Sequence, residues 1–221
     1  MLSVDEIYEE IKREIINLDL APGSKVTESF LTNKFHISRT PIRSVISRLE
    51  KDNLVVVTPK KGTYVSKITL ENVSDYMKLR VIVETHVLRE VCKTITPNQI
   101  DELKNIIEEQ SKIIAMEPSI EKSKMFFHND NLFHSTIFKF GNSLGLWKII
   151  HSNAITLNRV RIMANLRETT QVENIYEQHY AMIKCLEKHD EERLVSIFTT
   201  HIDDGLEGIS SVVNKYHDYF M

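Results

Sequence analysis

Residues 37–50 read ISRTPIRSVISRLE, a combination that few ordinary helices show. Ser38 stands as an N-cap, and Pro41 falls in the first turn, where a backbone N–H would lack an intrahelical partner anyway. Ile37 and Ile42 occupy the N′ and N4 positions of a hydrophobic staple. Ile42, Val45, Ile46 and Leu49 form an inner stripe, while Arg39, Thr40, Arg43 and Ser47 are thrown outward. A core helix has no use for two outward arginines. A plain surface helix seldom carries them with no neighbouring acid before Glu50.

The flanking sequence supplies the context. Ser3 with Glu6 is a capping box that opens a helix from about Val4 to Leu18, with Val4, Ile7, Ile11, Ile15 and Leu18 inward. Pro22-Gly23 ends that segment, and Thr27 caps a short second helix to about Phe35 that buries Phe30, Leu31 and Phe35. After the third helix the period changes. LVVVT and TYVSK, joined by PKKG, read as a two-stranded hairpin with Lys60 and Lys61 at its tip. Three helices and a basic hairpin make a winged helix-turn-helix over residues 1–67. The third helix then enters the major groove, and the wing and second helix hold phosphates. Outward Arg39, Thr40 and Arg43 face the duplex, with Ser38, Lys60 and Lys61 beside them. A guanidinium can pair bidentately with guanine O6 and N7.

Charge agrees. The net of −3 hides 11 basic against 9 acidic residues in 1–67, and 17 against 22 in the rest. Within 34–67 the count is 8 basic against 2 acidic, a block that suits a polyanion. No apolar run approaches a membrane span and the acidic start is unlike a signal peptide. Cys92 and Cys185 form no CxxC pattern, which fits a reduced cytoplasmic protein.

The remainder is helical. SKITLENVS, residues 66–74, is the boundary and contains a joint over 68–74 with no flexible Gly/Ser tract. Six helices are expected at about 70–93, 97–116, 119–140, 143–165, 171–188 and 190–216, a bundle occupying 75–221. In HNDNLFHSTIF, Asp130 and His134 stand four apart on one helical face, a spacing that can chelate one metal. His179 and His201 lie in apolar surroundings that allow them to point inward. Three imidazoles and one carboxylate would suit a divalent ion: zinc first, with nickel, manganese or iron as alternatives. Arg80 can pair with Glu84 one turn on or clamp a ligand carboxylate. Of Arg159 and Arg161 at most one lines a pocket, and Arg159 is taken as the candidate.

These motifs together resemble a GntR-family transcriptional regulator of the FadR subfamily with an FCD domain. The stretch LAPGSKVTESFLTNKFHISRTPIRSVISRLEKDNLVVVTPKKGTYV is similar to the family's DNA-binding domain nearly end to end. Leu79-Arg80 with Glu84, and Asp130 with Phe133 and His134, resemble FCD motifs; His179 and His201 match its later histidines. The resemblance, with a six-helix bundle of the VanR type, implies a homodimer on a palindromic operator. Its DNA affinity would respond to a small organic acid touching the metal, more often as a repressor. Effector binding is expected to reorient the recognition helices. It also implies that Gly62 is the wing-tip glycine. Two departures stand out. Ser29 replaces an arginine that some relatives use on DNA, and IRSV replaces VREA, which removes the acid next to Arg43. Alternatives are a regulator for which metal itself is the signal, and a metal-dependent enzyme built on the bundle.

Overall fold

The computed structural model describes residues 2–117, 119–152, 154–165, 169–205 and 209–221. The chain divides into two compact units, residues 1–72 with 211–221, and residues 73–210.

The first unit holds α1 (Val4–Ile16), α2 (Glu28–Phe35), α3 (Arg39–Lys51), β1 (Val55–Thr58) and β2 (Gly62–Val65). The capping box of α1 forms: Ser3 Oγ accepts from the Glu6 N–H, and Glu6 accepts from the Ser3 N–H. Ile7, Ile11 and Ile15 of α1, Leu31 of α2, and Ile42, Val45 and Leu49 of α3 are fully buried and make one core. Phe30, expected inward, is 42% exposed, because α2 is two turns long and Leu31 alone reaches the core. β1 and β2 pair antiparallel, Val55 opposite Val65 and Thr58 opposite Gly62. Residues 23–26 run along the other edge of β2: Val26 N–H donates to Thr63 O at 2.8 Å and Val65 N–H to Ser24 O at 2.8 Å. Burial alternates along β2, so Thr63 and Val65 face the core while Val56 and Val57 of β1 stay exposed.

The C-terminal residues differ from the sequence expectation. They belong with the first unit, where Ile68 N–H donates to Tyr219 O at 2.8 Å and Met221 N–H to Ile68 O at 3.1 Å. Ile68 is fully buried there and Phe220 nearly so.

The second unit is a helical bundle. Its helices are α4 (Leu70–Thr94), α5 (Pro97–Ile114), α6 (Ile120–Phe140), α7 (Leu144–Ser152), α8 (Ile155–Asn165), α9 (Thr169–Glu187), α10 (Glu191–Asp204) and α11 (Ile209–Lys215), with α4 and α11 crossing the unit boundaries. Two of the six expected helices are thus each two segments, broken between α7 and α8 and between α10 and α11. Gly205 ends α10 as its C-cap; residues 153 and 206–208 of the two expected helices lie outside the described residues. α5 packs on α6 and α9, and α9 on α10. Thr96 and Gln99 cap α5, and the buried Lys122 ammonium closes the chain after it by donating to Ile114 O and Met116 O at 2.6 and 2.7 Å. Cys92 and Cys185 are buried free thiols. Among the described residues no helix is long and apolar enough to cross a membrane.

Candidate nucleic-acid interface and metal centre

α3 separates its two faces as its sequence requires. Ile42, Val45, Ile46 and Leu49 are buried, and Ser38, Arg39, Thr40 and Arg43 are exposed. Ser38 has the extended backbone of an N-cap but makes no side-chain cap hydrogen bond, so its hydroxyl is not committed to the helix. The arginines of α3 are treated differently. Arg48 pairs with Asp5 and lies 4.1 Å from the Tyr8 ring, anchored to α1. Arg43 points away from that core, and its Nε donates to Glu28 Oε1 at 2.9 Å. This pairing raises its pKa further above the usual guanidinium value. The acid that the sequence lacked beside Arg43 therefore comes from the first residue of α2, a contact between helices that no spacing announces.

At the wing, Lys60 takes φ 63° and Gly62 φ 125°, so the turn uses two left-handed positions. A Cβ on Gly62 would stand 2.9 Å from Lys25 Cε. Lys25, bridged to Tyr64, is thus a third cation beside Lys60 and Lys61. Nothing local in the sequence ties Lys25 to the hairpin, since it precedes α2.

In the bundle, α6 contributes Asp130 and His134, α9 His179 and α10 His201. All four are buried, and one ligand atom from each lies within 4.8 Å of the others. Asp130 Oδ1 and the Nε2 atoms of all three histidines are buried without a hydrogen-bond partner. Four such atoms converging in one place are costly unless a cation joins them. The opposite ring nitrogens are all engaged. His134 Nδ1 meets Glu84 Oε2 at 2.9 Å, His179 Nδ1 meets Gln110 Oε1 at 3.0 Å, and His201 Nδ1 meets Gln178 Oε1 at 2.9 Å. Anchoring Nδ1–H leaves Nε2 as the free lone pair, the tautomer a metal needs. The sequence carried no signal for Gln110 and Gln178 in this role.

Electrostatics prepare the same donors. Burial draws His179 down to about 3 and His201 well below the ordinary imidazole value, so both stand neutral. Burial opposes ionisation of Asp130, but Arg161 and the three histidines outweigh it and hold the carboxyl below its usual range. Glu84, opposed by burial and favoured by Arg80 and His134, is lowered to about 2. Arg80 donates from Nε to Glu84 Oε1 and is itself buried. Arg161 Nη1 donates to Asp130 Oδ2 at 3.2 Å, leaving Oδ1 free to ligate. Arg161 of α8 thus pairs with a member of the cluster, a contact that spacing alone did not announce. Two residues apart on a helix, they diverge by about 200°. Arg159 is buried, and burial lowers it to about 10. The donor set of three imidazoles and a carboxylate fits a divalent transition metal.

Comparison with known proteins agrees with both halves. Residues 3–65 match the family model "Bacterial regulatory proteins, gntR family", and residues 75–204 match "FCD domain". The HTH-type transcriptional repressor RspR of Escherichia coli (strain K12) is 27% identical over 217 residues, 97% of this chain and 92% of that protein. The gluconate operon transcriptional repressor of Bacillus licheniformis is 23% identical over 199 residues, 88% of this chain and 80% of that protein. Among solved structures, E. coli McbR/YncC shares the fold, with a TM-score of 0.69 at 18% identity over 98% of this chain and 100% of that one. The FCD match alone takes in more than half of the chain, so the protein belongs to the GntR family of bacterial regulators with an FCD domain, and it is a DNA-binding transcriptional regulator rather than an enzyme.

Proposed function

We propose that this regulator is a cytoplasmic homodimeric repressor whose bundle binds a divalent metal and, on that metal, a small carboxylate effector. Arg39, Thr40 and Arg43 read base edges of a palindromic operator, while Ser38, Lys60, Lys61 and the Gly62 turn hold its backbone. Asp130, His134, His179 and His201 ligate the ion, zinc being the first candidate, and Arg80 and Arg161 stand on its acidic side.

The observation that carries this reading is the set of four converging buried atoms without hydrogen-bond partners. Charge extends it to an anion. Ligation requires each imidazole to be neutral, and Asp130 and Glu84 then balance Arg80 and Arg161, so a divalent ion would leave these groups with a surplus of two positive charges. A carboxylate entering an open coordination position removes part of that surplus and places its second oxygen where a guanidinium can reach it. The bound ion supplies Lewis-acid attraction for that carboxylate.

A thermal-shift series tests the reading. Zinc should raise the unfolding midpoint of the metal-stripped protein and should not raise that of His179→Ala. Among mono-, di- and tricarboxylates, the effector class should raise it further only in the metal-loaded form, a stabilisation of about 2.7 kcal/mol at a hundredfold excess over Kd. Zinc stabilisation with no response to any carboxylate favours the reading in which metal is the signal. No response to zinc, nickel, manganese or iron overturns the metal site.

A further inference from the structure

We propose that Glu28 is a positioning residue that sets how Arg43 meets a base pair, and so determines part of this protein's operator specificity. The proposal rests on Arg43 reading the duplex. Sequence alone presents Arg43 without an acid, since Ser44 follows it and the nearest acid along its helix is Glu50. In the fold, Glu28 Oε1 takes the Arg43 Nε–H at 2.9 Å.

A guanidinium offers two edges for paired donation, Nη1 with Nη2, or Nε with one Nη. With Nε engaged, only the terminal edge remains for guanine O6 and N7, which fixes the angle at which the side chain can dock. Glu28 is itself held in place. It is the first residue of α2, directly after Thr27, whose Oγ1 accepts the Phe30 N–H at 3.0 Å. A carboxylate at a helix start is favoured by the helix dipole. Arg48, five residues along α3 and so on another face, is turned to Asp5 and Tyr8 instead. Both arginines are exposed and held from a neighbouring helix, but Arg43 is the more open of the two, with its side chain 66% exposed against 43%, and it is the one steered from α2.

A fixed negative charge beside the reading arginine has a second consequence. It weakens attraction to any phosphate backbone, correct or not, and it penalises duplexes that give Arg43 no base acceptor to compensate. Glu28 thus lowers general affinity and raises discrimination.

The test uses full-length protein and a pool of 30-base-pair duplexes with a randomised core. Sites are selected with the wild type, and affinities for the selected site and the unselected pool are then measured at two salt concentrations. Glu28→Ala should lower the ratio of selected to unselected affinity about tenfold while raising affinity for the pool. Glu28→Gln, which keeps an acceptor oxygen, should hold the ratio within about threefold of wild type. In an Arg43→Ala background, Glu28→Ala should leave the ratio unchanged. Equal rises in both affinities for Glu28→Ala, with the ratio intact, would make Glu28 only a repelling charge and overturn its positioning role. An Arg43→Ala protein that discriminates as well as wild type would instead overturn the reading of Arg43 itself. Unfolding midpoints of all variants exclude misfolding as the cause.

Discussion

At the residue scale, the bundle cluster shows how packing prepares ordinary side chains as ligand atoms by the partners it denies them. His134, His179 and His201 each spend one ring nitrogen on a protein acceptor and present the other to the same small volume. The acceptors are unequal. Glu84 is a carboxylate backed by Arg80, and Gln110 and Gln178 are neutral amides, so His134 is the most strongly donating imidazole of the three. Gln178 also donates from Nε2 to Asp204, which holds its amide oxygen toward His201. Gln178→Leu should keep the fold and lower zinc affinity between about tenfold and a hundredfold, read by competition with a chromophoric chelator. Affinity equal to wild type would show that His201 is oriented by packing alone. The Asp130–His134 spacing was legible because both lie on one helix. Their partners came from α9 and α10, and only packing determines which faces of separate helices meet.

At the element scale, the wing is the part most sensitive to a single atom. Gly62 takes φ 125°, so any side chain there is strained, while the Lys25 side chain it would meet is flexible and can give way. Gly62→Ala should destabilise the N-terminal unit by about 1–3 kcal/mol. Denaturant unfolding followed by far-UV dichroism measures this, and a loss below about 0.5 kcal/mol, the size of an ordinary surface effect, would mean the turn relaxes freely. α3 illustrates the opposite case, an element readable almost completely in advance. Its cap position, its proline, its staple and its stripe are all local, and the observed helix begins at Arg39 as they require. The long helices of the bundle were less legible. No glycine or proline marks the end of α7 at Ser152, and α7 and α8 both pack on α6.

At the scale of the whole molecule, acid is the condition that should expose the buried network. His179 binds its proton near pH 3 in the fold against 6.5 when free, and Glu84 near 2 against 4.5. In both cases the unfolded chain takes up the proton first. Their contribution is therefore complete above about pH 6.5 and is lost as pH falls, first through His179 and then, below about 4.5, through Glu84 as well. Each unit of pH costs at most about 1.4 kcal/mol per group. Denaturant midpoints of the metal-stripped protein at pH 7.5, 5.5 and 4 should fall in that order. A flat profile would mean that these groups are solvated rather than buried. The chain also returns at its end to the first unit, where Ile68 and Phe220 pair. Residues 152 apart in the chain give no sequence signal of that pairing.

What the sequence by itself determined is everything carried by short spacing: caps, helix stripes, the change of period at the hairpin, the basic block over 34–67 and the i, i+4 pair of Asp130 and His134. These depend on backbone geometry that repeats within a few residues, so they are written locally. The tertiary structure alone decided which distant groups complete each site. It brought Glu28 to Arg43, Lys25 to the wing, Arg161 to Asp130, and Glu84, Gln110 and Gln178 to the three histidines. Those pairings follow from how helices pack against one another, and the packing is a property of the whole core rather than of any one segment.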